Sequence, residues 1–382
     1  MKTNPARTVL DRTTTTLPRS GVAFPAIGVA FYAATVAFEL SRFSAFSPAG
    51  AAFLLGLVVV MFGTVFATVH HAEKIAHRIG EPYGTLVLTL AVTVIEVSLI
   101  LSMMLAGAGN RALARDTVFS VIMIVCNGLV GLCILIGGLR HREQEFLVHG
   151  ANSYLGVIAT LAALTLILPN FTTTIPGPFF ASSQLIFVSA VTLVLYGVFL
   201  YIQTIRHTEY FAAPKAPSDA ATIASGPHAG GRPSLLWSGT LLVISLVVVI
   251  LLAKKFGAGV DDVLERARAP AAVSGLIVAL LVLLPEGMAA VRAAYRDELQ
   301  KSLNLALGSS LATIGLTIPS VAIAAVVLGK ELVLGLEPKE TLLLALTMVV
   351  SALTFGTGRT NVLPGLVHLV IFAAFVFLTF VP

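Results

Sequence analysis

Charged residues are scarce in this 382-residue chain, and cysteine and tryptophan are scarcer still. Lysine, arginine, aspartate and glutamate make up 11% of the residues, whereas 57% are hydrophobic; soluble domains carry roughly 25% charged residues. The two cysteines, Cys126 and Cys133, lie in one apolar run and are expected to be buried. These shortages exclude a soluble enzyme, a disordered chain and a disulfide-stapled fold, and they indicate a polytopic membrane protein.

Eleven apolar stretches are candidates for membrane-spanning helices, each of which needs about 20 apolar residues. The predicted spans are 22–38, 51–69, 83–105, 117–139, 154–168, 184–205, 235–252, 272–291, 302–328, 341–355 and 361–380. The polar stretch 207–234, rich in proline, glycine, serine and alanine, predicts a flexible linker. We therefore predict a basic N-terminal segment with the first helix at 1–46, five-helix repeats at 47–206 and 235–382, and the linker between them.

Lysine and arginine are distributed unevenly between the two sides of this predicted bundle. The side that holds the N-terminus and the linker carries 15 of them, and the other side carries 9. Because positive residues are enriched in cytoplasmic loops, the N-terminus is predicted to be cytoplasmic and the C-terminus external. The net charge of +5 then reflects topology, so the expected partner is the lipid bilayer and not a nucleic acid.

Two glutamates lie deep inside predicted spans, where ionisable side chains usually mark a functional site. Glu96 follows Pro82 by 14 residues, about 21 Å along a helix, and Glu286 follows Pro270 by 16 residues. Each is followed, after a charged turn, by a glycine-bearing helix, and the two units cross the membrane in opposite directions. This pattern predicts an all-α protein of about eleven transmembrane helices, with one N-terminal helix and an inverted repeat of five plus five.

Such a pair of carboxylates could bind a cation or protons. It supplies hard oxygen ligands and two negative charges, which one divalent cation or two protons would neutralise. Burial and a neighbouring like charge both favour the protonated form, so protons and cations compete for the pair. Exclusive binding at a site exposed alternately to each side is sufficient for antiport. The alternative is that each glutamate is a protonated, hydrogen-bonded structural residue.

Three stretches resemble a known family. They are HHAEKIAHRIGEPYGTLVLTLAVTVIEVSLI (70–100), LLPEGMAAVRAAYRDELQKSLNLALGSSLATIGLTIP (283–319) and FGTGRTNVLPGLVHL (355–369). They resemble segments of the bacterial calcium:proton antiporters of the cation/Ca²⁺ exchanger superfamily. The resemblance implies export of cytosolic Ca²⁺ across the bacterial inner membrane in exchange for protons, with Glu96 and Glu286 as the ion-binding carboxylates. It also implies a supporting role for three residues of a small polar motif, namely Asn304, Ser309 and Ser310.

The chain departs from the superfamily pattern just before each glutamate, where Gly-Asn-Ala is common. Thr93 could offer a hydroxyl there, but Leu283 offers no oxygen. Because Ca²⁺ takes six to eight oxygen ligands, Na⁺ or K⁺ exchange for protons is the alternative function. Glu81 could either cap the third helix or serve ion access. Asn127 could either bond a neighbouring helix or serve ion access.

Two other functional classes are less well supported by the sequence. A membrane enzyme could use the histidines of HHAEKIAH (70–77), but this order lacks the H-E-x-x-H spacing of a zinc site, and we interpret it as an interfacial turn. A passive channel would not need a site that closes on each side, which an inverted repeat with paired glutamates provides. The chain has no G-x-x-x-x-G-K-[ST] motif. We therefore predict a carrier and not an enzyme, without a cofactor, of undetermined oligomeric state.

Overall fold

The structure is a computed structural model that describes residues 19–38, 47–80, 83–106, 111–212 and 233–382. The α-helices are α1 (Arg19–Ala37), α2 (Pro48–Ile79), α3 (Tyr83–Ala106), α4 (Leu113–Met123), α5 (Val130–His141), α6 (Val148–Ala162), α7 (Ser182–Tyr201), α8 (Pro233–Ala267), α9 (Ala272–Tyr295), α10 (Leu299–Ala312), α11 (Ile318–Leu328), α12 (Pro338–Phe355) and α13 (Val362–Phe380). The strands β1 (Gln144–Glu145) and β2 (Arg359–Thr360) form an antiparallel pair.

Short π-helical turns join some of these helices into longer rods. One turn, Ile124–Leu129, connects α4 to α5, and another, Thr313–Thr317, connects α10 to α11. The described helices therefore form eleven rods. Ten of them contain stretches with the length and hydropathy of a membrane span, and the apolar stretch Gly21–Ala37 is shorter. The predicted class, an all-α polytopic membrane protein with about eleven helices, is confirmed.

Helices α2 and α8 are longer than their predicted spans. The prediction of an interfacial turn at HHAEKIAH was wrong, because this stretch continues α2. Residues 70–79 contain no glycine or proline that would end the helix before Gly80. The charged residues after position 252 likewise continue α8. With 32 and 35 residues, α2 and α8 are about 48 Å and 52 Å long, more than the roughly 30 Å hydrocarbon core. They pack against each other and against α3.

The two ends of the bundle are distinguished by their loops. We call the end where the chain leaves α7 and begins α8 the linker end. Here β1 and β2 tie the loop after α5 to the loop after α12, and the Phe146 amide donates to the Gly358 carbonyl over 3.0 Å. The Gln144 side chain donates to the Ala294 carbonyl and thereby joins the end of α9 to the same loops.

The opposite end is held together by the segment between α11 and α12. The amide of Val333 donates to the Arg111 carbonyl over 3.0 Å, and the amide of Leu336 donates to the Leu166 carbonyl over 2.8 Å. The predicted linker 207–234 is described only at its edges, where Thr208–Tyr210 forms a 3₁₀ turn. Most of the predicted N-terminal segment 1–46 also lies outside the described residues.

Glycines allow close crossings between some of these helices. At the crossing of α5 and α13, a Cβ on Gly131 would lie 3.0 Å from the Gly365 carbonyl oxygen, and a Cβ on Gly365 would lie 2.9 Å from that of Gly131. Helices without a hydrophobic drive to associate rely on such close packing in a membrane. Helix α3 carries Glu96 and helix α9 carries Glu286. The two helices contact each other, and α10 packs against α9.

Candidate functional site

Glu96 on α3 and Glu286 on α9 face one cavity of about 110 Å³. Glu96 is 1% exposed, and Glu286 is half-buried. The cavity lies on the linker side of the two glutamates, since its lining includes Gln203 at the end of the α7 rod and Asn304 near the start of α10. Its other polar lining residues are Thr89, Thr93, Tyr154, Tyr196, Ser309 and Thr313.

Two hydroxyl groups hold one oxygen of the Glu96 carboxylate. Thr313 Oγ1 and Thr317 Oγ1 each donate to Glu96 Oε2 over 3.0 Å. The other oxygen, Oε1, is buried and has no hydrogen-bond partner among the described residues. A buried polar atom without a partner is costly, so this oxygen is suited to accept a proton or a cation.

Glu286 is held by the same strip of hydroxyl groups. Ser309 Oγ donates to Glu286 Oε2. Ser309, Thr313 and Thr317 are spaced four residues apart, which places them on one face of the α10–α11 rod. One helix face therefore serves both carboxylates, and a movement of this rod would act on both glutamates together.

The α10–α11 rod is not a regular α-helix at this point. Thr313–Thr317 forms a π-helical turn, a distortion that is frequent at functional sites. Gly315 lies in the middle of the turn, and a Cβ there would lie 2.7 Å from Cγ of Tyr196 on α7. The absence of a side chain at Gly315 thus lets the Tyr196 ring close one wall of the cavity.

The structure brings three of the predicted supporting residues to the cavity. Thr93, Asn304 and Ser309 line it, whereas Ser310 is fully buried next to Ser309 and does not. The Asn304 amide is already engaged, because its Nδ2 donates to the Phe211 carbonyl over 2.6 Å and its Oδ1 accepts from Gln300. Asn304 therefore anchors the start of the linker at the edge of the cavity.

Asn127 belongs to a different polar network. Its Nδ2 donates to Thr347 Oγ1 over 2.9 Å, and its Oδ1 lies 3.1 Å from His368 Nδ1. His368 Nε2 lies 3.1 Å from Thr354 Oγ1, so the network joins α12 and α13 to the π turn after α4. This geometry matches the predicted bond to a neighbouring helix and gives Asn127 no place in the cavity lining. Glu81 lies outside the described residues.

Sequence reasoning missed Thr313 and Thr317, the two donors to Glu96. Their spacing of four and eight residues from Ser309 was available as a signal, because it places three hydroxyl residues on one face of the helix. Tyr196 on α7 and Gln203 in the π-helical turn that follows α7 were also missed, since both are far in sequence from either glutamate.

The ionisable and polar groups at the cavity are carboxylates and neutral oxygen donors. The described residues contain no group of three or more histidine, cysteine, aspartate or glutamate side chains that could hold a metal ion. The cavity supplies two carboxylates and several neutral oxygen atoms, which are hard ligands of the kind that alkali and alkaline-earth ions accept.

Three relatives are each similar to this chain over most of its length. It is 49% identical over 325 residues to the "Putative ionic transporter y4hA" of Sinorhizobium fredii, covering 85% of this chain and 87% of the relative. It is 38% identical to the sodium-potassium/proton antiporter ChaA of Escherichia coli, covering 86% and 88% of the two chains. A Ca²⁺/H⁺ antiporter of Synechocystis is 26% identical, covering 84% and 88%.

Solved structures share the fold. The structure of native YfkE matches with a TM-score of 0.71 at 17% identity, covering 95% of this chain and all of the other. The H⁺/Ca²⁺ exchanger CAX matches with a TM-score of 0.61 at 14% identity, covering 94% and 89%. The sodium/calcium exchanger protein family matches residues 49–205 and 237–381, the two sets of helices on either side of the linker. The chain belongs to the sodium/calcium exchanger protein family, within the cation/Ca²⁺ exchanger superfamily, whose members are transporters.

Proposed function

We propose that this protein exchanges cations for protons at Glu96 and Glu286, and that Ca²⁺ is its principal cation. One observation carries the proposal: two carboxylates from α3 and α9 face one cavity, and hydroxyl donors of a single rod hold both of them. A pair of carboxylates can be neutralised by one divalent cation or by two protons, so occupancy by one ion excludes the other. Exchange follows when this site is exposed to each side in turn.

In the proposed cycle, a cation reaches the glutamates from the linker end through the cavity. It binds the free Glu96 oxygen and the Glu286 carboxylate, and the protons held there leave. The loaded site then closes toward the linker end and opens at the opposite end. Protons arriving from that side neutralise the glutamates and release the cation, and the proton gradient drives the cycle.

The count of lysine and arginine residues indicates on which side of the membrane the linker end lies. The loops on that side carry the larger share of lysine and arginine, so the linker end is assigned to the cytoplasm of a bacterial cell. Under this assignment the cavity faces the cytoplasm, the C-terminus is external, and the direction of transport is cation export.

Exchange of Na⁺ or K⁺ for protons is the second candidate function. The identity to the sodium-potassium/proton antiporter favours it, and so does the donor set of the cavity. Leu283 supplies no side-chain oxygen, and the Asn304 amide is bonded to Phe211 and Gln300. Because Ca²⁺ takes six to eight oxygen ligands, the loss of these two side chains as donors weakens the case for Ca²⁺ relative to a monovalent ion.

Everted membrane vesicles test both candidates. A proton gradient is established, and CaCl₂, NaCl or KCl is added separately while the internal pH is followed by fluorescence. We expect Ca²⁺ to dissipate the gradient, and Glu96→Gln and Glu286→Gln each to abolish the response at normal expression. Glu145→Gln is the matched control, because Glu145 is an exposed partner of Arg359 at the linker end.

The outcomes separate the alternatives. Dissipation by Na⁺ or K⁺ without a response to Ca²⁺ assigns the second function. Normal activity in either glutamate variant disproves the two-carboxylate site, and a wild-type protein that responds to none of the three cations disproves cation:proton antiport. Cation flux through purified protein without proton countermovement would identify a channel instead.

A further inference from the structure

A second polar cavity, of about 270 Å³, lies at the opposite end of the bundle. Arg115 and Asp116 at the start of α4 line it together with Glu340 at the start of α12. Asp116 is 4% exposed and Glu340 is 8% exposed. Arg115 bridges Asp116 Oδ1, at 2.7 Å, and the Gly335 carbonyl, at 3.1 Å. This cavity contains neither of the two glutamates of the ion site.

The walls of the two cavities correspond. The ion-site cavity lies among α3, α6, α7 and α10, with Glu286 of α9 at its inner end. The second cavity lies among the start of α9, α12, α13 and α4. In an inverted repeat of five plus five helices, α9 is the counterpart of α3, α12 of α6, α13 of α7, and α4 of α10. The second cavity therefore occupies the same place in the second repeat as the ion-site cavity does in the first, at the other end of the bundle.

The two cavities differ in how far they reach toward the glutamates. The ion-site cavity separates α3 from α10 and extends to Glu96. Next to the second cavity, α9 and α4 are in close contact. A Cβ on Gly275 would lie 2.7 Å from the Asp116 carbonyl carbon and 2.8 Å from the Thr117 amide nitrogen. Ile122 on α4 and Leu276 on α9, which do not line the cavity, are buried in one apolar cluster between it and Glu286.

We propose that the cavity of Arg115, Asp116 and Glu340 is the opposite-side vestibule of the ion path, and that the contact of Gly275 with the α4 backbone is the seal that closes it from the glutamates. The inference rests on the proposed function. When α9 and α4 separate at this seal, the vestibule extends to Glu286, and cations leave and protons arrive through it. Closure of α3 onto α10 is the corresponding event at the linker end.

The charges of the vestibule suit a path for cations and protons. Its carboxyl side chains are Asp116, Glu337 and Glu340, and its basic side chains are Arg115 and Lys339, so acidic groups outnumber basic groups by one. Glu340 also caps α12, since its Oε2 accepts from the Glu337 amide over 3.0 Å. An acidic lining raises the local concentration of cations and of hydronium over that of anions.

Cysteine labelling from each side tests the vestibule. Ser120→Cys, a nearly isosteric change, places a thiol in this cavity, and Ala312→Cys places one in the ion-site cavity. Oriented proteoliposomes are treated from either side with a membrane-impermeant maleimide. The native Cys126 and Cys133 are buried and line neither cavity, so wild-type protein serves as the unlabelled control. We expect Ser120→Cys to react only from the side opposite the linker, and Ala312→Cys only from the linker side.

Gly275→Ala then tests the seal. The added methyl group cannot be accommodated while α9 touches the α4 backbone, so the variant favours the state that is open at the opposite end. We expect labelling of Ser120→Cys to accelerate at least about fivefold and labelling of Ala312→Cys to slow, because one state gains population at the expense of the other. Gly156→Ala is the matched control, since a Cβ at Gly156 would meet nothing within 4 Å.

Three results would overturn the proposal. Ser120→Cys could stay unlabelled from the opposite side in protein that still transports, or it could react from the linker side. Gly275→Ala could accelerate both reactions together, which would indicate general loosening. The sidedness of Ser120→Cys does not depend on whether Gly275→Ala folds. Transport is measured on the same liposomes as a separate quantity, so absence of cation:proton exchange is distinguishable from failure of the vestibule.

Discussion

Thr313→Val is the sharpest test of how the α10–α11 rod controls the ion site. Valine keeps the shape of threonine but removes one of the two hydroxyl groups that donate to Glu96 Oε2. A hydrogen bond to a charged acceptor contributes roughly 1.5–3 kcal/mol. Thr317 still donates to the same oxygen, so we take the lower value, which corresponds to about a tenfold loss in stability of the anionic carboxylate.

This loss changes the competition between cation and proton. The anionic form of Glu96 binds the cation and the protonated form does not, so a less stable anion raises the cation concentration needed for half-maximal exchange. We expect that concentration to rise by up to about tenfold, the full factor being reached at pH values where the wild-type carboxylate is mostly protonated. The difference from wild type should shrink as pH rises, because the carboxylate is then deprotonated in both proteins. The assay is the rate of gradient dissipation in everted vesicles, titrated with cation at several pH values.

Thr165→Val provides the control for the threonine-to-valine change itself. Thr165 is fully buried on the α6 rod, and its hydroxyl donates only to the Leu161 carbonyl of its own helix. We expect its half-maximal cation concentration to equal that of wild type. The reasoning is refuted if Thr313→Val has wild-type cation dependence at every pH. It is also refuted if the maximal rate falls with no change in the half-maximal concentration.

Two further predictions concern positions around the site. Asn127→Ala removes the amide that His368 and Thr347 contact, and each of these two buried hydrogen bonds contributes about 0.5–1.5 kcal/mol. Thr347 still donates to the Leu343 carbonyl, and His368 still contacts Thr354. The thermal unfolding temperature in detergent should therefore fall moderately, while exchange by the protein that remains folded should persist. Gly315→Ala places a methyl group against the Tyr196 ring and should lower the exchange rate, with normal expression and folding by size-exclusion chromatography; wild-type exchange would show that this wall of the cavity is not needed.

Much of the fold could be predicted from the sequence, because only helices and closed β-barrels can span a lipid bilayer. A spanning segment must satisfy its backbone groups within itself, so long apolar runs in a charge-poor chain predict helices, and the described part of the chain forms eleven rods. The helix ends were harder to predict. In α2 and α8 the charged residues continue the helix beyond the hydrocarbon core, where water solvates them and hydropathy no longer marks a boundary.

The sequence by itself singled out Glu96 and Glu286, because a carboxylate in the middle of an apolar span is costly and therefore conspicuous. It could not assign their partners. Thr313 and Thr317 are more than 200 residues from Glu96, and only the packing of α3 against the α10–α11 rod brings these groups within 3.0 Å. Periodicity reports which face a residue shares within its own helix, but it does not report which helix lies opposite that face.

The tertiary structure also decided which predicted residues share the cavity and which do not. Ser309 and Ser310 are neighbours in sequence, yet a rotation of about 100° per residue directs Ser309 to Glu286 and Ser310 away from the cavity. Asn127 resembles a site residue in sequence but bonds Thr347 and His368 in another part of the bundle. The sequence by itself determined that the chain lies in a membrane, that it is all-α, and that Glu96 and Glu286 are ionisable groups deep inside its apolar spans. Only the packing of the helices determined which side chains contact these two glutamates.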